Sequence, residues 1–160
     1  MFSIQIIYGK WGSYDLLEFA DHQHHGQLIL GNSVELFPLF THFWSFDEYR
    51  KHWVSALERI FEGYASSALI TEMHTPDSNP CLTWWPIYKV NEEVVVFHEQ
   101  VLLFDGLPKK FGKAFDLSSI FDFIDPYDAK EDGGKVSEWK VEISELEKFL
   151  ILMYESERNY

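Results

Sequence analysis

The sequence predicts an α+β fold: a single domain over residues 1–160, with an antiparallel β-meander sheet and flanking helices. Three observations point there. Short runs of alternating or dense apolar residues are separated by turn residues. Two longer stretches repeat apolar residues every three or four positions behind capping signals. The links between neighbouring strand-like runs are too short for parallel crossovers. The 160 residues fit one domain, and 46% apolar content with 6 Trp, 8 Tyr and 14 Phe supplies a core.

Each element has its own signal. Phe2–Tyr8 alternates and reads as a strand. Trp11–His25 is mixed, with a strand candidate at Leu16–Phe19. After Gly26, Gln27–Leu30 and Ser33–Phe37 flank Gly31-Asn32, two residues that tolerate positive φ, and read as a hairpin. A helix is predicted over Phe46–Glu62. Ser45 and Glu48 form a capping box, and Phe46, Tyr49, Trp53, Leu57, Ile60 and Tyr64 make the apolar stripe. Gly63 stops it.

Three strands follow, Ser67–Thr75, Cys81–Val90 and Glu93–Phe104, with turns at residues 76–80 and at Asn91-Glu92. Pro86 removes one ladder donor and predicts a bulge or an edge position. Trp84 and Trp85 point to opposite faces, so one of them faces solvent or a second core. Residues 106–112 read as a loop beside Lys109, Lys110 and Lys113. Asp116–Ile124 reads as a short helix burying Phe115, Ile120 and Phe121 or Phe123, and Tyr127–Gly134 as a polar, flexible loop. Val136–Ile143 reads as the last strand. Ser144 and Glu147 form a second capping box, opening a helix that buries Leu146, Phe149, Leu150 and Met153.

The formal charge of −13 opposes nucleic acid and anionic membranes as partners and favours fast association with a cationic surface. The charge is uneven: residues 116–160 carry a net −7 of it. A single cysteine, Cys81, permits no intrachain disulfide and fits a reducing compartment. The first residues lack a basic leader with an apolar run, and no stretch approaches about 20 apolar residues, so the expected location is cytoplasmic.

Candidate chemistry is sparse. His22 and His24 share a strand face and, with Asp21 or Glu18, would make a metal chelate; no partner ligand set is evident, and a solvated hairpin end is the simpler reading. Cys81 has no flanking motif to activate it as a nucleophile with His74 or His98, so a buried inert thiol is expected. Acidic pairs such as Asp122 with Asp125, and Glu131 with Asp132, read as a charged loop or a binding surface. Trp44, Trp53, Trp84, Trp85 and Trp139 are candidates for core, pocket or interface. The competing functional classes are a generic acidic interaction or nucleic-acid-mimic domain and a metal-dependent enzyme at the histidine cluster.

Three ordered stretches carry a family resemblance: SFDEYRKHWVSALERIFEG, SSALITEMHTPDSNPCLTWWPIYKVNEEVVVFHEQVLLF and GGKVSEWKVEISELEKFL. Matching positions include Trp53, Leu57, Ser67-Ala68-Leu69, Pro76, Thr83-Trp84, Tyr88, Lys135 and Ser137-Glu138-Trp139. The chain resembles the CdiI immunity proteins of bacterial contact-dependent growth inhibition systems, and is similar to the Enterobacter-type members that act against a ribosomal RNA nuclease toxin. It departs from them in the N-terminal third and over Leu107–Lys113. The resemblance implies a small α+β domain that binds the cognate toxin domain in a 1:1 heterocomplex, with no catalysis, cofactor or metal. A nuclease is basic around its site, so an acidic inhibitor is electrostatically matched to it. The charge asymmetry then assigns Asp122, Asp125, Asp128, Glu131 and Asp132 as the toxin-contact set.

Overall fold

The computed structural model describes residues 1–8, 24–41, 43–73, 81–103, 117–127, 130–131, 134–135 and 137–158. Strands β1 (Phe2–Tyr8), β2 (His24–Leu30) and β3 (Ser33–Pro38) form an antiparallel sheet in that order. Leu30 pairs with Ser33 across the expected turn, where Gly31 has φ 64°. Strand β2 begins at His24 rather than Gln27, which places Gly26 inside the strand, opposite Phe37. The Phe37 ring occupies the space that a side chain at 26 would need: a Cβ there would lie 2.0 Å from ring atoms. The same ring meets Trp53 edge-on at 6.3 Å.

Helix α1 (Phe46–Phe61) is closed at both ends as its sequence predicts. Glu48 N–H donates to Ser45 Oγ at 3.3 Å, and Ser45 N–H to the Glu48 carboxylate at 2.7 Å. Gly63 has φ 96°, and Tyr64 N–H donates to the Arg59 carbonyl at 3.2 Å, a left-handed C-terminal cap. Tyr49, Trp53, Ala56, Leu57 and Ile60 are buried. Tyr64, counted in the stripe, is exposed instead because the chain has already turned at Gly63.

The second sheet contains β4 (Ser66–Met73), β5 (Cys81–Lys89), β6 (Val94–His98), β7 (Gln100–Leu103) and, from far along the chain, β10 (Glu138–Glu142). Its order is β10-β6-β5-β4, with β7 also on β5. The meander β4-β5-β6 is therefore as expected, but the strands divide between two main sheets. Strands β6 and β7 follow one register along β5, with Phe97 opposite Ile87 and Gln100 opposite Trp84. The break between them falls across from Trp85 and Pro86. The Lys89 N–H to Ala65 carbonyl bond of 2.9 Å sets the alternation that turns Pro86 toward this break. So Pro86 sits in a central strand, neither at an edge nor in a bulge on its own strand, and its missing donor interrupts the neighbouring ladder. The register shift in this sheet lies elsewhere, between Ile70 and Glu72.

Trp84 and Trp85 are both buried, so the sheet has a core on each face. On one side Trp85 meets Trp139 at 5.2 Å, and Phe97 stacks on Phe2 of the first sheet at 5.6 Å. On the other, the 3-10 helix Leu117–Phe123 packs against β4 and buries Ile120 and Phe123. Strands β8 (Lys130–Glu131) and β9 (Gly134–Lys135) pair with each other inside the segment expected to be loop. Helix α2 (Ile143–Arg158) follows β10 directly and buries Leu146, Phe149 and Leu150, while Met153 packs against the core from its edge. Its expected capping box is absent. Ser144 lies within the first turn and donates to Glu142 at 3.3 Å, and the Ile143 N–H is satisfied by the Glu93 carbonyl at 2.8 Å.

The open edge of β4 is closed by α1. Ile70 turns both backbone groups away from β5. Its N–H donates to His52 Nε2 at 3.0 Å, and its carbonyl accepts from Trp53 Nε1 at 2.8 Å. Ser67 Oγ donates to the Ala56 carbonyl at 2.5 Å. Burial lowers the His52 pKa to about 4 from 6.5, with a backbone hydrogen bond to Ala68 opposing the shift. The imidazole is thus neutral and free to accept.

Two outcomes are expected. In Gly26→Ala the added methyl displaces Phe37, and denaturant unfolding should show a loss of about 1–3 kcal/mol. For His52 the folded pKa lies below the unfolded one, so the unfolded chain takes up the proton first. The neutral ring's contribution is complete above about pH 6.5 and is lost as the pH falls toward about 4. Between pH 7 and 5 it should account for about 2 kcal/mol of lost stability. Urea unfolding of His52→Gln should be that much less pH-dependent; an unchanged slope would refute the assignment.

Candidate partner-binding surface

The 3-10 helix and the residues that follow it are fixed at two points by aromatic side chains. At the first, Phe121 lies parallel to the His52 ring, with centroids 6.0 Å apart, and beneath the Arg59 guanidinium at 4.1 Å. At the second, Tyr127 OH donates to Glu138 Oε1 at 2.9 Å, and His98 Nε2 contacts the same oxygen at 3.2 Å. The Tyr127 ring packs on Tyr88 at 5.2 Å and on His98 at 5.8 Å. Glu138 arrives here because β10 pairs with β6, placing it opposite His98. Desolvation raises the Glu138 pKa, but hydrogen bonds from Tyr127 and His98, with the charges of His98 and Lys140, outweigh it and hold the carboxyl below its usual range. The same hydrogen bond pushes the Tyr127 phenol up.

Ile120 and Phe123 are buried, and Asp122 and Asp125, between the two points, are exposed. These are two of the five carboxylates expected to contact a partner. The backbone of Glu131 lies in β8, opposite Gly134. Asp128 and Asp132 lie outside the described residues. The structure therefore brings Asp122 and Asp125 into one surface segment and places Glu131 in a separate two-stranded pairing.

A second acidic group was missed by the sequence reading. Glu92, Glu93, Glu142 and Glu147 line a cavity of about 450 Å³ with Val94, Ile143 and Ser144. Two of them come from the β5–β6 turn and two from the β10–α2 junction, some fifty positions later. They meet because Glu142 pairs with Val94. The available signal was the acidic pair at Glu92-Glu93 beside a predicted turn; nothing local indicated its remote counterpart. Glu92 is held by Lys89 at 2.8 Å.

The other candidates are dispersed. His24 packs edge-on against Tyr8 at 5.4 Å and Phe46 at 4.9 Å. Its expected companions His22, Asp21 and Glu18 lie outside the described residues, as does His74. Among the described residues no three His, Cys, Asp or Glu side chains are grouped as metal ligands. Cys81 is half-buried, and desolvation followed by the charge of Glu72 raises its thiol pKa, which opposes thiolate formation. Trp44 packs at a tilt against His52, with centroids 4.9 Å apart, so all five candidate tryptophans are engaged in packing.

Among the described residues, two main antiparallel sheets and two α-helices thus define an α+β protein whose surface carries many carboxylates. Residues 39–149 match the CdiI N-terminal domain, and the chain belongs to that family. A relative from Enterobacter cloacae subsp. cloacae, the immunity protein CdiI, is 23% identical over 123 residues, spanning 76% of this chain and 81% of the relative. The solved CdiA-CT/CdiI toxin and immunity complex from Enterobacter cloacae contains a chain with the same fold. Its TM-score is 0.73 at 19% identity, over 97% of this chain and 99% of that one. That coverage includes strands β1, β2 and β3, which lie before the stretches that carry the sequence resemblance. Among the described residues no helix is long and apolar enough to cross a membrane.

Glu138→Gln removes the charge that both Tyr127 and His98 address. It should lower the melting temperature by a few degrees and raise the mobility of residues 124–127 in amide exchange. Unaltered exchange there would show that the Tyr127 anchor is not needed.

Proposed function

We propose that this chain is an immunity protein that binds and neutralises the cognate C-terminal toxin domain of a contact-dependent growth inhibition effector. Membership of the CdiI N-terminal domain family across residues 39–149 carries this reading. The CdiI relative bears the name immunity protein, and the solved relative is a complex of toxin and immunity chains. The chain acts by stoichiometric cover, as a 1:1 heterocomplex in the cytoplasm, with no turnover and no cofactor. Its target is a basic domain with nuclease activity. The net charge of −13 supports that choice, since a nuclease draws in polyanions with a positive surface that a polyanionic protein also fits.

The contact set is Asp122, Asp125, Asp128, Glu131 and Asp132. Asp122 and Asp125 support it by their exposure on a segment held at both ends. The direct test is co-purification with the C-terminal domain of the effector encoded beside this gene, together with relief of that domain's toxicity. Reversing all five charges to Lys should slow association by at least about tenfold at low salt, with the difference shrinking as salt is added. An unchanged on-rate would remove this surface from the interface, and absence of a complex with the unaltered chain would overturn the immunity reading.

A further inference from the structure

The Arg59 guanidinium is sandwiched between two rings, 3.9 Å from the Tyr64 centroid and 4.1 Å from the Phe121 centroid. Its Nε is buried without a hydrogen-bond partner among the described residues. In a chain of net charge −13 this cation is held by ring faces at its centre, although carboxylates are abundant. The sandwich joins the C-terminal turn of α1, through Tyr64 and its cap on Gly63, to the 3-10 helix that carries Asp122. Six residues on, Tyr127 is the second attachment, bound to Glu138 and packed on Tyr88.

Both outer aromatics combine anchoring with exposure. Tyr64 is 48% and Tyr127 43% exposed although each has one face engaged. Asp122 and Asp125 lie on the stretch between the attachments and are also exposed. Tyrosines with one face engaged, beside exposed carboxylates, form the composition that binds protruding Arg or Lys side chains: the ring takes the stem or the guanidinium face, and the carboxylate takes the charge. Holding the stretch at both ends before encounter reduces the ordering that binding would otherwise require.

We propose that Tyr64, Asp122, Asp125 and Tyr127 form a pre-ordered docking surface for Arg- or Lys-bearing segments of the toxin domain, with Arg59 as the positioning residue that holds its acidic part in place. This rests on the immunity reading above and adds the aromatic anchors and the clamp to it. A second copy of this chain is a poor occupant, because it would bring another −13 to an acidic surface.

A double-mutant cycle tests the clamp, using the toxin C-terminal domain encoded beside this gene as the probe and Kd at low salt as the readout. Variants are compared only where their thermal unfolding is cooperative. Arg59→Leu is expected to weaken binding about tenfold and Arg59→Lys only about twofold, since an ammonium keeps the charge between the rings. Asp122→Asn/Asp125→Asn should weaken binding comparably. In that double-Asn background Arg59→Leu should add less than about twofold, because there is nothing left for it to position. Tyr127→Ala should weaken binding in either background. If Arg59→Leu does not fold, Tyr64→Leu removes one ring of the sandwich from an exposed position and takes its place in the cycle; as it also removes an anchor, its loss should shrink in the double-Asn background without vanishing. Full additivity, or wild-type affinity for the Arg59 or Tyr64 variant, overturns the inference while leaving the immunity reading standing. Absence of any complex with the unaltered chain overturns both.

Discussion

Ile70 lies on the outermost strand of the larger sheet, with its N–H and carbonyl directed away from the neighbouring strand. An exposed pair of this kind invites a further strand from another molecule. Here the helix occupies the position: His52 accepts from the N–H and Trp53 donates to the carbonyl. Adjacent residues of one helix can do this because their side chains diverge, one following the strand edge and the other entering the core. The arrangement depends on a neutral imidazole. Burial keeps it neutral, and Phe121 stacked on its outer face contributes to that burial.

From this joint the rest of the molecule follows in sequence. Trp53 supports Phe37, which covers Gly26 and so ties the first sheet to the helix. His52 supports Phe121, which carries the 3-10 helix across the second face of the larger sheet. That face holds Trp84, and without this cover a large apolar surface would meet solvent. The segment bearing Asp122 and Asp125 is therefore both the lid of a core and the surface that presents charge. A scaffold built this way can vary its exposed carboxylates while the buried side chains of the same segment stay constrained by packing.

In the proposed interface the acidic character would serve encounter more than hold. Charges at the rim of an interface accelerate association and are screened by salt, while buried aromatic anchors determine how long the complex lasts. In the proposed interface, Tyr64 and Tyr127 would supply the second component once a partner covers their exposed faces. The glutamates around Glu142 form a separate patch on the β6–β10 side, which adds to the long-range field without any aromatic anchor of its own.

Much of this was legible in the residues. Helix α1, its two caps, the Gly31-Asn32 hairpin and the β4-β5-β6 meander follow from local chemistry, because spacing, capping hydrogen bonds and turn preferences act over a few residues. The ordered motifs also carried the family. Other features were not local. Pro86 occupies a central strand because the partner strand is interrupted opposite it, and Ser144 fails as a cap because the helix already begins at Ile143, whose N–H is satisfied by Glu93, fifty positions earlier. Glu138 reads as one more surface acid until β10 pairs with β6 and sets it against His98 and Tyr127. Composition and periodicity alone determined the fold class, the net acidic charge and most of the longer elements. Which strands share a sheet, which carboxylates converge and which aromatic residues hold them were decided only by the tertiary structure, because those contacts join residues that no short-range rule relates.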